Sequence, residues 1–330
     1  MTLLTFSNSF SIYDIMFKNG RGDSLGDIKL FHKNGDSIKE LEGNAMAVEK
    51  SLQEIFEKNL EILLGIRFLA SEYSTGKKHA GRIDTLGIDE NNSPVIIEYK
   101  RAMNENVINQ GLFYLDWLLD HKAEFELMVL RRYGEQSSNN IDWSNPRLLC
   151  IAGGFTKYDA HAVQQINRNI ELFQYKQFQE NLLLLDLVNA TTANNGENDP
   201  EIQEKSGKKK QKVRTVSDYL EKADQTLTDL YDSIKTYLLA LGDDVQIKTL
   251  KHYIAFKRIK NFACIEIHPN TNKILLYLKV DPDSIDLVPG FSRDVRSIGH
   301  FGTGDLELTI SSVKDFEQAK ELIMKSYDVS

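Results

Sequence analysis

Residues 81–101 read GRIDTLGIDENNSPVIIEYKR, two apolar runs on either side of a cluster with turn composition. Such a stretch predicts a β-hairpin apolar enough to lie in a core, which commits the chain to a covered sheet. Three charges break the pattern. Asp84, Leu86 and Ile88 share a face of the first strand, whereas Ile96, Glu98 and Lys100 share a face of the second. A hairpin closing about Asn91 pairs residues whose numbers sum to 182, which sets Asp84 opposite Glu98. Opposed Cβ atoms lie about 4.5–5.5 Å apart, and two carboxylates that close repel unless a cation joins them. Mg²⁺ suits the gap, since it takes one or two carboxylates together with phosphate oxygens. Lys100, one repeat along the same face, can meet a developing negative charge.

D-x₁₃-E-x-K resembles the PD-(D/E)XK superfamily of restriction-endonuclease-like nucleases, with Ile83 where the family name has proline. Residues around the hairpin extend the resemblance to the archaeal-type mismatch endonuclease branch. That branch has an upstream helix glutamate, matched by Glu49, and a Gln-x-x-x-Tyr pair on the following helix, matched by Gln110 and Tyr114. Gln110 and Tyr114 are four apart and project from one helical face. The resemblance implies an α/β fold with a restriction-endonuclease-like mixed sheet flanked by helices. It further implies Mg²⁺-dependent phosphodiester hydrolysis, with Mn²⁺ as substitute, on nucleic acid and by preference DNA, in defence or repair. Asp84, Glu98 and Glu49 would hold the metal. Lys100 would act on water or on the phosphate, Gln110 and Tyr114 would orient phosphate or lysine, and Arg101 would meet the phosphate backbone. Glu54, Glu57 and Glu61, on the same helix as Glu49, read as a solvated face.

The remaining pattern divides the chain. Residues 1–44 read as strands and turns, 45–190 as the nuclease-like unit, 191–215 as a linker and 216–330 as a smaller α/β unit. The linker is nearly devoid of large apolar residues, and its basic run (Lys208, Lys209, Lys210, Lys212, Arg214) reads as a solvated tether or a DNA-contacting tail. Within the nuclease-like unit, apolar spacing predicts a helix from Ala45 towards Tyr73 and another over 104–121, capped by Asn104. ELMVLRRY, RLLCIAGGF and LLLLDLV read as strands, and 158–180 as a helix. Lys248, Lys251, Lys257, Arg258 and Lys260 alternate with Tyr253, Phe256 and Phe262. That tract suits single-stranded nucleic acid, or a core strand with snorkelling lysines. The stretch VRSIGHFGTGDLELTI with the closing helix resembles a C-terminal domain of unknown function joined to nuclease-like cores, chains sometimes labelled transport proteins.

Composition narrows the alternatives. No apolar run nears the roughly 20 residues of a membrane span, which argues against transport. Cys150 and Cys264 lie far apart without metal-ligand spacing, and the N-terminus lacks the form of a signal peptide, so a cytoplasmic protein is expected. His79, His121, His161, His252, His268 and His300 show no ligand spacing either. GGFTKYDAHAV reads as a strand-to-helix turn rather than a phosphate cradle, and no P-loop motif is present. A net charge of −8 argues against broad electrostatic capture of DNA. Two rivals stand beside the nuclease: a binding module of the same fold without turnover, and an interaction protein whose homodimer or partner subunit supplies targeting.

Overall fold

The computed structural model describes residues 28–46, 48–76, 80–101, 106–193 and 215–330. Most of the expected linker with its basic run, residues 1–27, His79 and Asn104 lie outside the described residues.

A small hairpin, β1 (Leu30–Asn34) and β2 (Ser37–Leu41), precedes the short β3 (Gly43–Asn44) and helix α1 (Glu49–Leu64). Leu52, Phe56, Leu60 and Leu64 recur every four residues along α1 and form its buried stripe. Gly65 ends the helix at φ 64°, a left-handed cap that glycine adopts without a Cβ penalty. Strand β4 (Ile66–Ser74) starts at once, so the helix expected to run towards Tyr73 stops nine residues earlier. Strands β5 (Arg82–Asp89) and β6 (Pro94–Lys100) are the hairpin, followed by α2 (Asn106–Asp120) and α3 (Lys122–Asn139). ELMVLRRY lies within α3 rather than in a strand. Phe125 and Val129, one turn apart, are the residues it buries, while Leu127 and Leu130 stay largely exposed.

Strand β7 (Arg147–Ala152), the short helix α4 (Lys157–Gln164), β8 (Asn169–Phe178) and β9 (Leu182–Thr191) complete the first sheet. The helix expected over 158–180 is therefore one short helix and a ten-residue strand. β8 sits between β7 and β9 with both faces largely covered, and that hides the period-two alternation from a sequence reading. The strand order is β3-β8-β7-β6-β5-β4, with β9 also on β8. The β6–β7 and β7–β8 pairs are parallel and the rest antiparallel, a mixed sheet. One face packs on α1 through Phe56, Val95, Ile97 and Tyr99, the other on α2 and α3 through Leu86, Ile96, Trp117 and Phe125.

The second unit comprises α5 (Val216–Leu220), α6 (Gln225–Leu239), β10 (Gln246–Thr249), β11 (Ile254–Lys257), β12 (Asn261–His268), β13 (Lys273–Leu278), β14 (Ser292–Asp294), β15 (Leu306–Ile310) and α7 (Val313–Asp328). Its six strands follow the order β10-β11-β12-β13-β15-β14, and its helices cover one face. The α/β architecture with a mixed sheet and a smaller second α/β unit is thus present as expected. No helix among the described residues is long and apolar enough to cross a membrane.

The two units meet across a buried ion network. Arg147 donates to Glu171 through Nε (2.8 Å) and Nη2 (2.7 Å) and to Asp89 through Nη1 (2.9 Å). Lys257 of the second unit reaches Glu171 at 3.2 Å, and Lys248 lies 3.8 Å from Asp89. Burial works against ionising either acid, but Lys248 and Arg147 at Asp89, and Arg147 and Lys257 at Glu171, hold both carboxyls down at about 2. In the unfolded chain both titrate near their ordinary values of 3.8 and 4.5. Their contribution to stability is therefore complete above about 4.5 and is lost as the pH falls towards 2. Acid unfolding followed by near-ultraviolet circular dichroism should set in within that window, and Asp89→Asn with Glu171→Gln should flatten it. An equally steep acid transition in the double variant would contradict this assignment.

Candidate metal and phosphate site

The hairpin closes in the register read from the sequence. Thr85 pairs with Ile97, Leu86 with Ile96, Gly87 with Val95 and Ile88 with Pro94, each pair summing to 182. Beyond Thr85–Ile97 side chains take over from the backbone ladder. The Asp84 N–H donates to Glu98 Oε1 at 3.2 Å, and the Tyr99 N–H donates to Asp84 Oδ2 at 2.9 Å. Each carboxylate is thereby pinned to the opposite strand, which holds the two acids side by side.

Glu98 is fully buried, whereas Asp84 is half-buried. Glu98 Oε2 has no hydrogen-bond partner among the described residues. Burial first, and then the Asp84 charge, push the Glu98 carboxyl up to about 9, against the pull of the Asp84 N–H and Lys100. Burial also raises Asp84. Two acids that resist ionising, with one oxygen left over, form a donor set fitted to a small hard cation. Mg²⁺ needs only one or two carboxylates when water and phosphate complete its shell.

Lys100 points the same way with its side chain 16% exposed, and its Nζ donates to Glu49 Oε1 at 3.1 Å. Burial disfavours the ammonium, but Asp84, Glu49 and Glu98 outweigh it and hold its pKa above the ordinary lysine value. Glu49 Oε2 also accepts the Arg101 N–H at 3.3 Å. Glu49 therefore sits beside the site as the partner of Lys100. Among the described residues no group of three His, Cys, Asp or Glu side chains converges as a metal site. Asp84 and Glu98 are the two acids that the strand pairing itself brings together. Arg101 is exposed.

Gln110 and Tyr114 do come together, Nε2 to hydroxyl at 3.3 Å. The Tyr114 hydroxyl accepts the Arg82 N–H at 3.2 Å, two residues before Asp84, and a Cβ on Gly81 would lie 2.7 Å from the ring. The pair anchors the start of β5, two residues before Asp84.

Two contributors escaped the sequence reading. Gln53 Nε2 donates to the Asp84 carbonyl at 2.8 Å and to Glu57 Oε1 at 2.9 Å, and Glu57 Oε1 accepts the Thr85 hydroxyl at 2.6 Å. Glu57 thus faces the sheet instead of solvent. The signal was present: Glu49, Gln53 and Glu57 form a polar row at spacing four, directly beside the apolar row Leu52, Phe56, Leu60. Of the basic residues in the second unit, Lys248 and Lys257 are turned into the buried ion network and cannot also meet a phosphate backbone. Lys260 donates to the Ile62 carbonyl at 3.2 Å, and Arg258 pairs with Asp244 at 2.7 Å while lying over the Tyr327 ring. Of the five, Lys251 alone is well exposed.

Glu98→Gln should raise the melting temperature of the protein in chelator at pH 8. The folded-state pKa lies above the unfolded one, so the native state holds an extra proton between 4.5 and about 9, and stability falls as pH rises through that window. Glutamine keeps an acceptor for the Asp84 N–H and has no proton to lose. The difference from wild type should shrink towards pH 4. A variant less stable at pH 8 would show that the acid pair is not strained.

Over 313 residues the chain is 31% identical to an uncharacterized protein of Haemophilus influenzae, an alignment covering 91% of this chain and 99% of that one. The chain belongs to the same family as that protein. Residues 216–330 match a domain family described as Domain of unknown function (DUF5655). Among solved structures there is similarity to an EndoMS–dsDNA2 complex, with 18% identity, a TM-score of 0.27 and coverage of 39% of this chain and 46% of that one. A repair endonuclease from Pyrococcus abyssi gives 18% identity and a TM-score of 0.26, covering 40% of this chain and 49% of that one. The chain spans about half the length of these solved structures. Likeness at such TM-scores carries no argument about activity, which rests on the residues themselves.

Proposed function

We propose that this chain is a divalent-metal-dependent nuclease that hydrolyses phosphodiester bonds of nucleic acid, with DNA the favoured substrate. The observation that carries this reading is the Asp84–Glu98 pair, with its buried, unpartnered Glu98 Oε2, on the strand face that also presents Lys100. Asp84 and Glu98 would hold Mg²⁺ or Mn²⁺, the site belonging to the PD-(D/E)XK type. When bound, the ion supplies Lewis-acid polarisation of the phosphoryl group and acidifies a water. The protein supplies geometry and charge. Lys100 places an ammonium where negative charge develops on the phosphoryl oxygens, and Glu49 holds its Nζ in place before substrate arrives. Gln53 fixes the Asp84 backbone, and Tyr114 fixes the strand entering it.

Calorimetry with Mg²⁺ and Mn²⁺ tests the site. Asp84→Asn and Glu98→Gln should each weaken metal binding at least roughly tenfold, as expected when a short ligand list loses a charge. Equal binding by wild type and both variants would remove the metal assignment. A cleavage panel over duplex, flapped, mismatched and single-stranded substrates tests the reaction. Absence of cleavage on every substrate with either metal would favour a binding module of the same fold.

A further inference from the structure

Both elements that build the site run on to the second unit at their far ends. The β5–β6 turn, Asp89 to Ser93, is about 17 Å from Asp84 at roughly 3.3 Å per residue. Asn91 forms a reciprocal amide pair with Asn261, Nδ2 to Oδ1 at 3.2 Å and back at 2.8 Å, and accepts the Tyr253 hydroxyl at 3.0 Å. Lys248 Nζ donates to the Ser93 hydroxyl at 2.6 Å. Glu90 pairs with Lys279 and accepts the Asn261 N–H at 2.8 Å. Helix α1, with Glu49 at its N-terminus, is met near its other end by Lys260, and Gly65 packs so close to Glu90 that a Cβ would lie 2.7 Å away. Asn91, Ser93, Tyr253, Lys257 and Asn261 are all buried, so parting the surfaces would strand several polar groups. The complementarity has a direction: the second unit brings lysines, and the first presents Asp89, Glu90 and Glu171.

We infer that the DUF5655-type unit is an intrachain clamp: its Lys248, Tyr253, Asn261 and Lys279 recognise the acidic β5–β6 turn, its Lys257 pairs with Glu171 on β8, and together they hold the hairpin and α1 in the relation that the acid pair and Lys100 require. The clamp residues are positioning residues, since none touches the site. The docking stands without the nuclease reading, and only its effect on cleavage rests on that reading.

The test uses the full chain. Lys257→Met combined with Lys279→Met removes two docking charges and keeps the stems, and Lys325→Met on the outer surface of α7 is the control. Hydrogen exchange read by mass spectrometry should accelerate at least roughly tenfold over residues 82–100 and 49–64 while residues 261–278 stay protected, because loss of docking lowers local stability of the clamped elements only. Lys279→Arg should restore protection relative to Lys279→Met. That pair of single variants, at the rim of the surface, decides the question if the double variant loses protection everywhere. If cleavage is found, the clamp variants should lower kcat and leave KM nearly unchanged. Unchanged exchange over 82–100 in a folded double variant, or in Lys279→Met, overturns the clamp. Failure of wild type to cleave any substrate would overturn the nuclease reading and leave the exchange result to decide the clamp.

Discussion

Lys100→Met should bind nucleic acid nearly as well as wild type and cleave it at least roughly 100-fold more slowly, a loss of about 2.7 kcal/mol of transition-state stabilisation. Methionine keeps the length and packing of the stem and removes only the charge. The position favours a large effect: the side chain is mostly buried, and its Nζ is already held by Glu49 at 3.1 Å, so it loses little freedom when substrate binds. Binding should change little because a charge acting on the transition state contributes little to the ground state. Lys58→Met, on the exposed side of α1, is the control and should alter neither quantity. Single-turnover cleavage with Mg²⁺, beside binding measured in Ca²⁺, separates the two. Equal cleavage rates for wild type and Lys100→Met would end the E-x-K assignment.

Arg147→Met should destabilise the protein by about 3–5 kcal/mol, the cost expected when one partner of a buried ion network is removed and the others stay charged. Arg147 lies at the start of β7 with its side chain 6% exposed and satisfies two acids at once. Without it, the cations left beside Asp89 and Glu171 are lysines of the second unit, of which Lys248 stands 3.8 Å from the Asp89 carboxylate. Lys325→Met, which breaks the exposed Glu321–Lys325 pair on α7, should cost less than about 1 kcal/mol. Equilibrium unfolding in denaturant, run on both variants, reads the contrast. Similar losses would show that the network is no more than a surface pairing.

How far each part was legible follows from the range over which its cause acts. The hairpin register is local, set by a short turn and a period of two, so the opposition of Asp84 and Glu98 could be read from residues 81–101 alone. The role of Tyr114 could not, because its hydroxyl answers to Arg82 through tertiary packing, and a spacing of four says only that Gln110 and Tyr114 share a face. The lysines of β10 and β11 left two readings open for a related reason. A cation beside aromatics looks alike whether it faces nucleic acid or acids from a sheet some 90 to 170 residues earlier, and Lys257 faces Glu171. Helix and strand were confused where burial is two-sided, as in β8, or where apolar residues are contiguous, as in α3.

The inward-facing ion network also changes what the rest of the molecule offers to a polyanion. Arg147, Lys248 and Lys257 are turned inward against Asp89 and Glu171, so three cations are withdrawn from what the surface can offer to a polyanion. Few condensed counterions would be displaced from a nucleic acid by such a surface, and its affinity would vary only gently with salt concentration. Under the proposed function, long-range attraction would contribute little to encounter, and selection would fall to the few groups beside the acid pair, where Lys100 stands and Arg101 is exposed.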